Sequence, residues 1–278
     1  MRYGQFKIAE TESYTDRANA VTGTKESGLS NLEPWHHTSK HNPDDYWIAD
    51  DTKDFNSTFD NGYYYPETPL EFQKDPVEMR KQAIVQLNYL YGGDEMLAKM
   101  RLPPSERGDP VTEIEWRAFV HIKTSSVSGT WGIHLFFGEP PADPNDWFKA
   151  ENRVGTVNVL SNSNIAACPN CQKQRKEGQI ITGLVLLTKE LEIKNRNIPH
   201  KSRNAVVEYL KKNLTWRIAK NAQNVPITDD MGLVVGVSAR EVVYPLEPTE
   251  LPDWKDPEYF SEITKNKQPG GFKGLPGW

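Results

Sequence analysis

The chain has 278 residues, 37% of them hydrophobic and 26% charged, which is enough to bury one large core or two modest ones. Its formal net charge of −5 leaves no broad basic surface, so nucleic acid is not an expected partner. The first ten residues lack the apolar segment of a signal peptide and no run of 18 apolar residues occurs, so we expect a cytoplasmic protein without a membrane partner.

The N-terminal stretch, residues 1–70, is polar and rich in Asp, Asn, Thr and Pro. Its aromatic residues, including the run Tyr63-Tyr64-Tyr65, follow neither a helical nor a strand period. His36, His37 and His41 have a spacing that metal sites use, but in a polar arm we interpret them as surface or packing residues. The sequence predicts an extended arm that packs its aromatic side chains on a separate body.

A helix is predicted to begin after Asp75. Asp75 is suited to the N-cap, Pro76 to the first helical position, and Glu78 to the third position of a capping box. Gly92 and Gly93 are expected to end the helix. The apolar residues that share one predicted stripe are Met79, Ala83, Leu87 and Leu90.

Two strands with a period of two follow, over residues 115–123 and 130–138. The Ser-rich link between them predicts a β-hairpin. Their apolar faces consist of Trp116, Ala118, Val120 and Ile122, and of Trp131, Ile133, Leu135 and Phe137. The opposite face carries His121 and His134. A loop centred between Val127 and Ser128 would place them across from each other, about 5 Å apart at Cβ, whereas a register shifted by one residue would separate them.

The remainder of the chain predicts further strands and little helix. Strands are expected at 153–160, 179–188, 214–218 and 231–238, with a short helix at 204–212. We therefore predict a mainly β protein, an antiparallel β-sandwich or barrel with a few short helices, whose body spans residues 71–245 and holds the functional site. Residues 246–278 are predicted to form a peripheral tail that lies on the body or is exchanged with a second copy in a homodimer.

Both cysteines of the chain lie in the turn Cys168-Pro169-Asn170-Cys171. Two thiolates and an imidazole favour zinc over magnesium or calcium, so we predict a metal site formed by Cys168, Cys171 and His134. His121 would be the fourth ligand or a catalytic acid or base. A redox-active pair lacks the βαβ context of thioredoxin-like proteins, and a pair of ordinary buried thiols is the remaining alternative.

The order of several short motifs resembles the C-terminal part of fungal tyrosinases, over residues 30–245. These motifs are Asn31-Leu32-Glu33-Pro34-Trp35-His36, Tyr46-Trp47, Gly62-Tyr63-Tyr64-Tyr65-Pro66-Glu67, the strand Trp131 to Gly138, Cys168-Pro169-Asn170-Cys171, and Leu214-Thr215-Trp216-Arg217. Tyrosinases carry two copper-binding histidine triads in an N-terminal domain, and the six histidines of this chain do not supply them. The resemblance therefore implies a hemocyanin-like cap fold without its own dicopper centre.

A free-standing domain of this type also resembles the fungal cyclopenases, zinc proteins of quinolone alkaloid biosynthesis. That resemblance implies a zinc-dependent lyase that converts a cyclopenin-type benzodiazepinedione, as the small-molecule substrate, into a viridicatin-type quinolone with loss of methyl isocyanate. In this hypothesis zinc acts as a Lewis acid beside a general base. The alternatives are a tyrosinase-type cap that shields a dicopper domain and delivers Cu⁺ through its cysteine pair, and a scaffold protein with a structural metal or redox site.

Overall fold

The computed structural model describes residues 28–29, 31–36, 45–52, 59, 62–92, 94–161, 169–193, 198–267 and 269–274. The chain divides into two compact units, one of residues 1–109 with 245–251 and one of residues 110–244 with 252–278. In the part of the chain that is described, no helix is both long and apolar enough to cross a membrane.

The first unit contains a two-stranded antiparallel ribbon and two helices. Strands β1 (Asn31–His36) and β2 (Tyr46–Ile48) form the ribbon, and the helices are α1 (Pro76–Tyr91) and α2 (Asp94–Met100). The predicted start of α1 is confirmed, because the Asp75 side chain accepts a hydrogen bond from the backbone N–H of Glu78.

The predicted apolar stripe of α1 is correct only at its beginning. Met79 is buried, but Leu87 and Leu90 are exposed, and the buried face continues instead through Ile84 and Asn88. The Asn88 side-chain amide donates to the backbone carbonyls of Pro248 and Glu250, at 2.8 and 2.9 Å. A polar residue therefore occupies the buried face because both of its N–H groups are satisfied there.

The second unit is an antiparallel β structure of two sheets with a few short helices, so the predicted mainly β fold class is confirmed. The first sheet has the order β10-β9-β3-β6, with β11 also paired to β9, and the second sheet has the order β5-β4-β7-β8. The strands are β3 (Val111–Lys123), β4 (Trp131–Phe137), β5 (Arg153–Val159), β6 (Ile180–Leu186), β7 (Leu214–Lys220), β8 (Gln223–Val225), β9 (Val234–Tyr244), β10 (Asp253–Trp254) and β11 (Glu258–Tyr259). The helices are α3 (Pro169–Lys176), α4 (Thr188–Ile193), α5 (Arg203–Asn213) and α6 (Ser261–Thr264).

The core of this unit lies between the two sheets. The alternate apolar residues predicted to share a face on β3 and on β4 are all buried in one cluster, so both predicted faces are confirmed. The predicted hairpin is wrong, because β3 pairs with β6 and β9 while β4 pairs with β5 and β7. The alternation of apolar and polar residues determines which face of a strand is buried, but it does not determine which strand is its neighbour. Two strands can bury their apolar faces in the same core from two facing sheets.

Two glycines allow the edge strands β5 and β6 to approach closely. A Cβ on Gly155 would lie 2.4 Å from Val185 Cγ1, and a Cβ on Gly183 would lie 2.3 Å from Val157 Cγ1. Each glycine therefore makes room for a valine of the facing strand, and the two sheets meet along this side of the core.

The stretch from Glu258 to Phe272, predicted to be part of a peripheral tail, contributes to the core of the second unit. Phe260, Ile263 and Phe272 are buried. The backbone N–H of Val235 donates to Gly270 O at 2.7 Å, and Trp216 Nε1 donates to Pro269 O at 2.7 Å. Backbone and side-chain hydrogen bonds thus fix this segment to β7 and β9.

Lys267 joins this segment to the end of α5. Its Nζ donates to the carbonyls of Leu210 and Leu214, at 3.0 and 2.5 Å, at the C-terminal end of the helix, where Leu210 O also accepts the backbone N–H of Leu214. We expect Lys267→Met to lower the free energy of unfolding by about 1–2 kcal/mol, because two carbonyls lose a hydrogen bond from a charged donor. Urea unfolding measures this, with the exposed Lys265→Met as control; equal midpoints for the two variants would contradict the assigned role.

Candidate functional site

Of the three predicted metal ligands, His134 is the one whose side chain the structure describes. Cys168 lies outside the described residues, and Cys171 lies on α3, where its side chain is not described. In the described part of the chain, no group of three or more His, Cys, Asp or Glu side chains is arranged to hold a metal. The thiolate pair with His134 therefore stays a prediction.

His134 lies on the outer face of the second sheet and is only 2% exposed. A 3₁₀ helix, Pro144–Lys149, covers it with two aromatic rings, whose centroids lie 5.7 Å (Trp147) and 5.1 Å (Phe148) from the imidazole. Trp147 is itself held, because its Nε1 donates to Pro141 O at 2.8 Å. The histidine is therefore enclosed between its own strand and a fixed aromatic cover.

The hydrogen bonds of His134 favour a neutral ring. Its Nδ1 lies 2.9 Å from Thr156 Oγ1, and the same oxygen accepts a hydrogen bond from Arg153 Nη1 at 3.1 Å. Because Arg153 supplies a proton to this oxygen, the hydroxyl can direct its own proton to Nδ1. Burial, followed by the positive charge of Arg153 as the smaller cause, lowers the pKa of His134 to about 4.

The other ring nitrogen, Nε2, has no hydrogen-bond partner among the described residues. It lies above Gly132, where an added Cβ would be 3.5 Å away. Neutral imidazole is the form that binds metals, and ligating histidines are held through their second nitrogen. Metal binding through Nε2 would place the proton on Nδ1, where Thr156 Oγ1 can accept it. The role of His134 as a metal ligand stays a prediction.

His121 is not close to this site. It lies on the outer face of the first sheet, opposite Thr182 and Val234, with its ring centroid 5.7 Å from that of Phe119. Burial lowers its pKa. The core between the two sheets separates the outer face that carries His121 from the one that carries His134. The prediction that the two histidines face each other across a hairpin is therefore wrong. The role of His121 as a fourth ligand or as an acid or base stays a prediction.

Sequence reasoning did not identify the residues that surround His134. Thr156 could have been found, since its strand pairs with β4 and directly opposes His134. The aromatic cover had a weaker signal, the sequence Asp143-Pro144, in which Asp143 caps the 3₁₀ helix by accepting from Asn145 N. Neither signal gives the direction in which the loop folds back.

We expect His134 in the metal-free protein to titrate near pH 4, which NMR of the ring protons can measure. Because its ordinary pKa is about 6.5, the unfolded chain takes up a proton first, so stability present above pH 6.5 falls as the pH drops towards 4, by on the order of 2 kcal/mol. Thr156→Val should raise the pKa of His134, because the neutral ring loses its hydrogen bond. A wild-type ring that titrates near 6.5 would contradict this environment.

Comparison with known proteins agrees with the fold. The family model of the tyrosinase C-terminal domain matches residues 115–237. A tyrosinase from Neurospora crassa is 28% identical over 160 residues, covering 56% of this chain and 23% of the tyrosinase.

Solved structures of mushroom tyrosinase are similar in fold. A recombinant mushroom tyrosinase matches with a TM-score of 0.60 and 19% identity, over 88% of this chain and 43% of that one. A structure of latent and active mushroom tyrosinase gives a TM-score of 0.57 over the same shares. The chain thus spans less than half the length of these relatives. Residues 115–237 are a tyrosinase C-terminal-like domain.

Proposed function

We propose that the chain acts as a tyrosinase-type cap, which binds a dicopper catalytic domain and limits access to it. The observation that carries this proposal is the match of residues 115–237 to the tyrosinase C-terminal domain, in a chain that aligns with 23% of a tyrosinase. The matched region runs from β3 into β9, so it includes the central strands of both sheets. The proposed role is one of binding, and it requires no chemistry from the cap itself.

A second part of the proposal concerns copper. Cys168, Cys171 and His134 would hold Cu⁺, since thiolates and imidazole are the ligands that soft cations prefer. Because His134 is neutral at neutral pH, a cation at Nε2 requires no net loss of a proton from the ring: the ring proton moves from Nε2 to Nδ1, where Thr156 Oγ1 accepts it. When bound, the ion would be cargo for the dicopper domain. We expect a Cys171→Ser variant to lose tight Cu⁺ binding while it keeps the fold.

The proposal is tested by binding. The purified chain is titrated with a copper-loaded tyrosinase catalytic domain that lacks its own C-terminal region, and the dissociation constant is measured by calorimetry or sedimentation. A saturable one-to-one complex with a micromolar or lower Kd is the expected result. The proposal would be overturned if the two proteins did not associate at 100 µM. A Kd above 100 µM corresponds to a binding free energy weaker than about −5.5 kcal/mol.

The zinc-dependent lyase predicted from the sequence stays a prediction. His134 is the predicted metal ligand, and His121, which lies on the other sheet, stays the predicted acid or base. Metal analysis of the untagged protein, together with incubation with cyclopenin, tests this second candidate. One zinc per chain with release of methyl isocyanate, both lost in Cys171→Ser, would favour the lyase over the cap.

A further inference from the structure

Two arginines on the outer face of the first sheet share one carboxylate oxygen. Glu115 on β3 lies directly opposite Arg240 on β9, and Arg117 is the next β3 residue on the same face. Glu115 Oε1 lies 3.1 Å from Arg117 Nε, and 3.0 Å from both Nε and Nη2 of Arg240. Within the described residues, neither guanidinium has a second carboxylate or another hydrogen-bond acceptor, although each has five N–H groups.

The positive charge of this pair is only half balanced. Glu113, the neighbouring acidic residue of β3 on that face, is already paired with His200 and Lys201, at 2.8 and 3.1 Å. Burial and, as the next cause, the positive charge of Arg240 lower the pKa of Arg117. Two guanidinium charges therefore face a single carboxylate, which leaves one positive charge without a counter-ion among the described residues.

Two aromatic rings stand on either side of Arg240 on the same face. Trp254 on β10 lies opposite Val242 of β9, and Tyr259 on β11 lies opposite Ser238. Directly opposed residues of antiparallel strands point to one face, so both rings share the face of Arg240, two residues to either side of it. Four residues of β9, about 13 Å, separate their positions. Trp254 is 46% exposed and Tyr259 is 37% exposed, so both rings keep surface that a ligand can contact.

We infer that the two guanidiniums and the two rings, together called the arginine site, bind a carboxylate carried on a flat aromatic molecule. A guanidinium presents its N–H groups as a planar fork that matches the two oxygens of a carboxylate. One such anion would balance the one remaining positive charge, and its ring would stack on the exposed aromatic side chains. The inference is independent of the proposed cap function, because the arginine site needs no dicopper domain.

Titration of the full chain with benzoate tests the inference. By calorimetry, or by NMR of the arginine Nε–H signals, we expect saturable binding with a Kd on the order of 1 mM. Acetate lacks the ring and benzyl alcohol lacks the charge, so each should bind at least about tenfold more weakly. No benzoate binding up to about 20 mM, or acetate binding as tight as that of benzoate, would overturn the inference.

Variants of the charged residues locate the binding. Arg240→Gln should weaken benzoate binding at least about tenfold, because a charged donor is lost. The matched control is Arg217→Gln on the second sheet, an arginine that pairs with Glu139 at 3.0 Å, and it should change the Kd less than about twofold. Glu115→Gln leaves both guanidiniums without a counter-ion, so it should bind benzoate about tenfold more tightly than the wild type.

Trp254→Ala keeps both guanidiniums and removes one ring, so it should weaken benzoate binding about threefold without changing acetate binding. It keeps the test decisive if melting curves show that Arg240→Gln does not fold. The inference is wrong if Arg240→Gln or Trp254→Ala binds benzoate as tightly as the wild type, or if Glu115→Gln folds and binds it no more tightly. In that case the two arginines and Glu115 form only a structural ion-pair network.

Discussion

Replacing Trp116 with alanine is expected to lower the free energy of unfolding of the second unit by about 4 kcal/mol. Trp116 is fully buried on the central strand of the first sheet, its ring lies 5.0 Å from that of Phe260, and its Nε1 donates to His200 O at 2.9 Å. The substitution removes the largest fully buried side chain of the core and leaves a cavity that fixed strands cannot fill.

Equilibrium unfolding in urea measures this effect, with Trp254→Ala as the matched control. Trp254 is an exposed tryptophan whose described contact is with Arg240, 5.5 Å from its ring centroid, so its loss should cost less than about 1 kcal/mol. The loss of stability caused by Trp116→Phe should lie between those of the two alanine variants, because phenylalanine keeps most of the side-chain volume but loses the hydrogen bond. If Trp116→Ala were no more destabilising than Trp254→Ala, the position of the core would be wrong.

Gly183→Val is expected to cost about 3 kcal/mol, because the new side chain would occupy the space of Val157. Even a Cβ at this position would lie 2.3 Å from Val157 Cγ1, and valine on a facing strand has little freedom to turn away. Thr182→Val, one residue earlier on the outer face, is the control, and it should leave stability within about 0.5 kcal/mol of wild type.

A double-mutant cycle shows whether the contact between the two sheets is the cause. Val157→Ala should rescue much of the loss caused by Gly183→Val, giving a favourable coupling of about 1–2 kcal/mol. Additive effects of the two substitutions would mean that β5 and β6 do not meet at these residues.

The sequence was sufficient for the faces of the strands and for the start of α1, because both depend on local patterns. Trp116 and Trp131 each begin an alternation that the structure buries as predicted. The pairing of strands depends on long-range contacts, and here two glycines, Gly155 and Gly183, decide where the sheets meet. A glycine adds nothing to a hydrophobic pattern, so the sequence does not indicate this contact. The hairpin was predicted only because β3 and β4 are adjacent in sequence, and that prediction was wrong.

At the candidate site, too, the local pattern predicted the position of a residue but not its tertiary surroundings. The alternation correctly placed His134 on the outward face of its strand, and such a position predicts exposure. The histidine is nonetheless buried, since the loop after β4 returns with Trp147 and Phe148 to cover it. This burial lowers the pKa of His134, a property that arises from tertiary structure and that no local motif encodes.

The cap function is tested most directly by the rate at which a copper-loaded tyrosinase catalytic domain oxidises a diphenol while this chain is added. The proposed cap function predicts a saturable loss of activity that is complete at a one-to-one ratio. An oxidation rate that stays unchanged at a tenfold excess of the wild-type chain would contradict it.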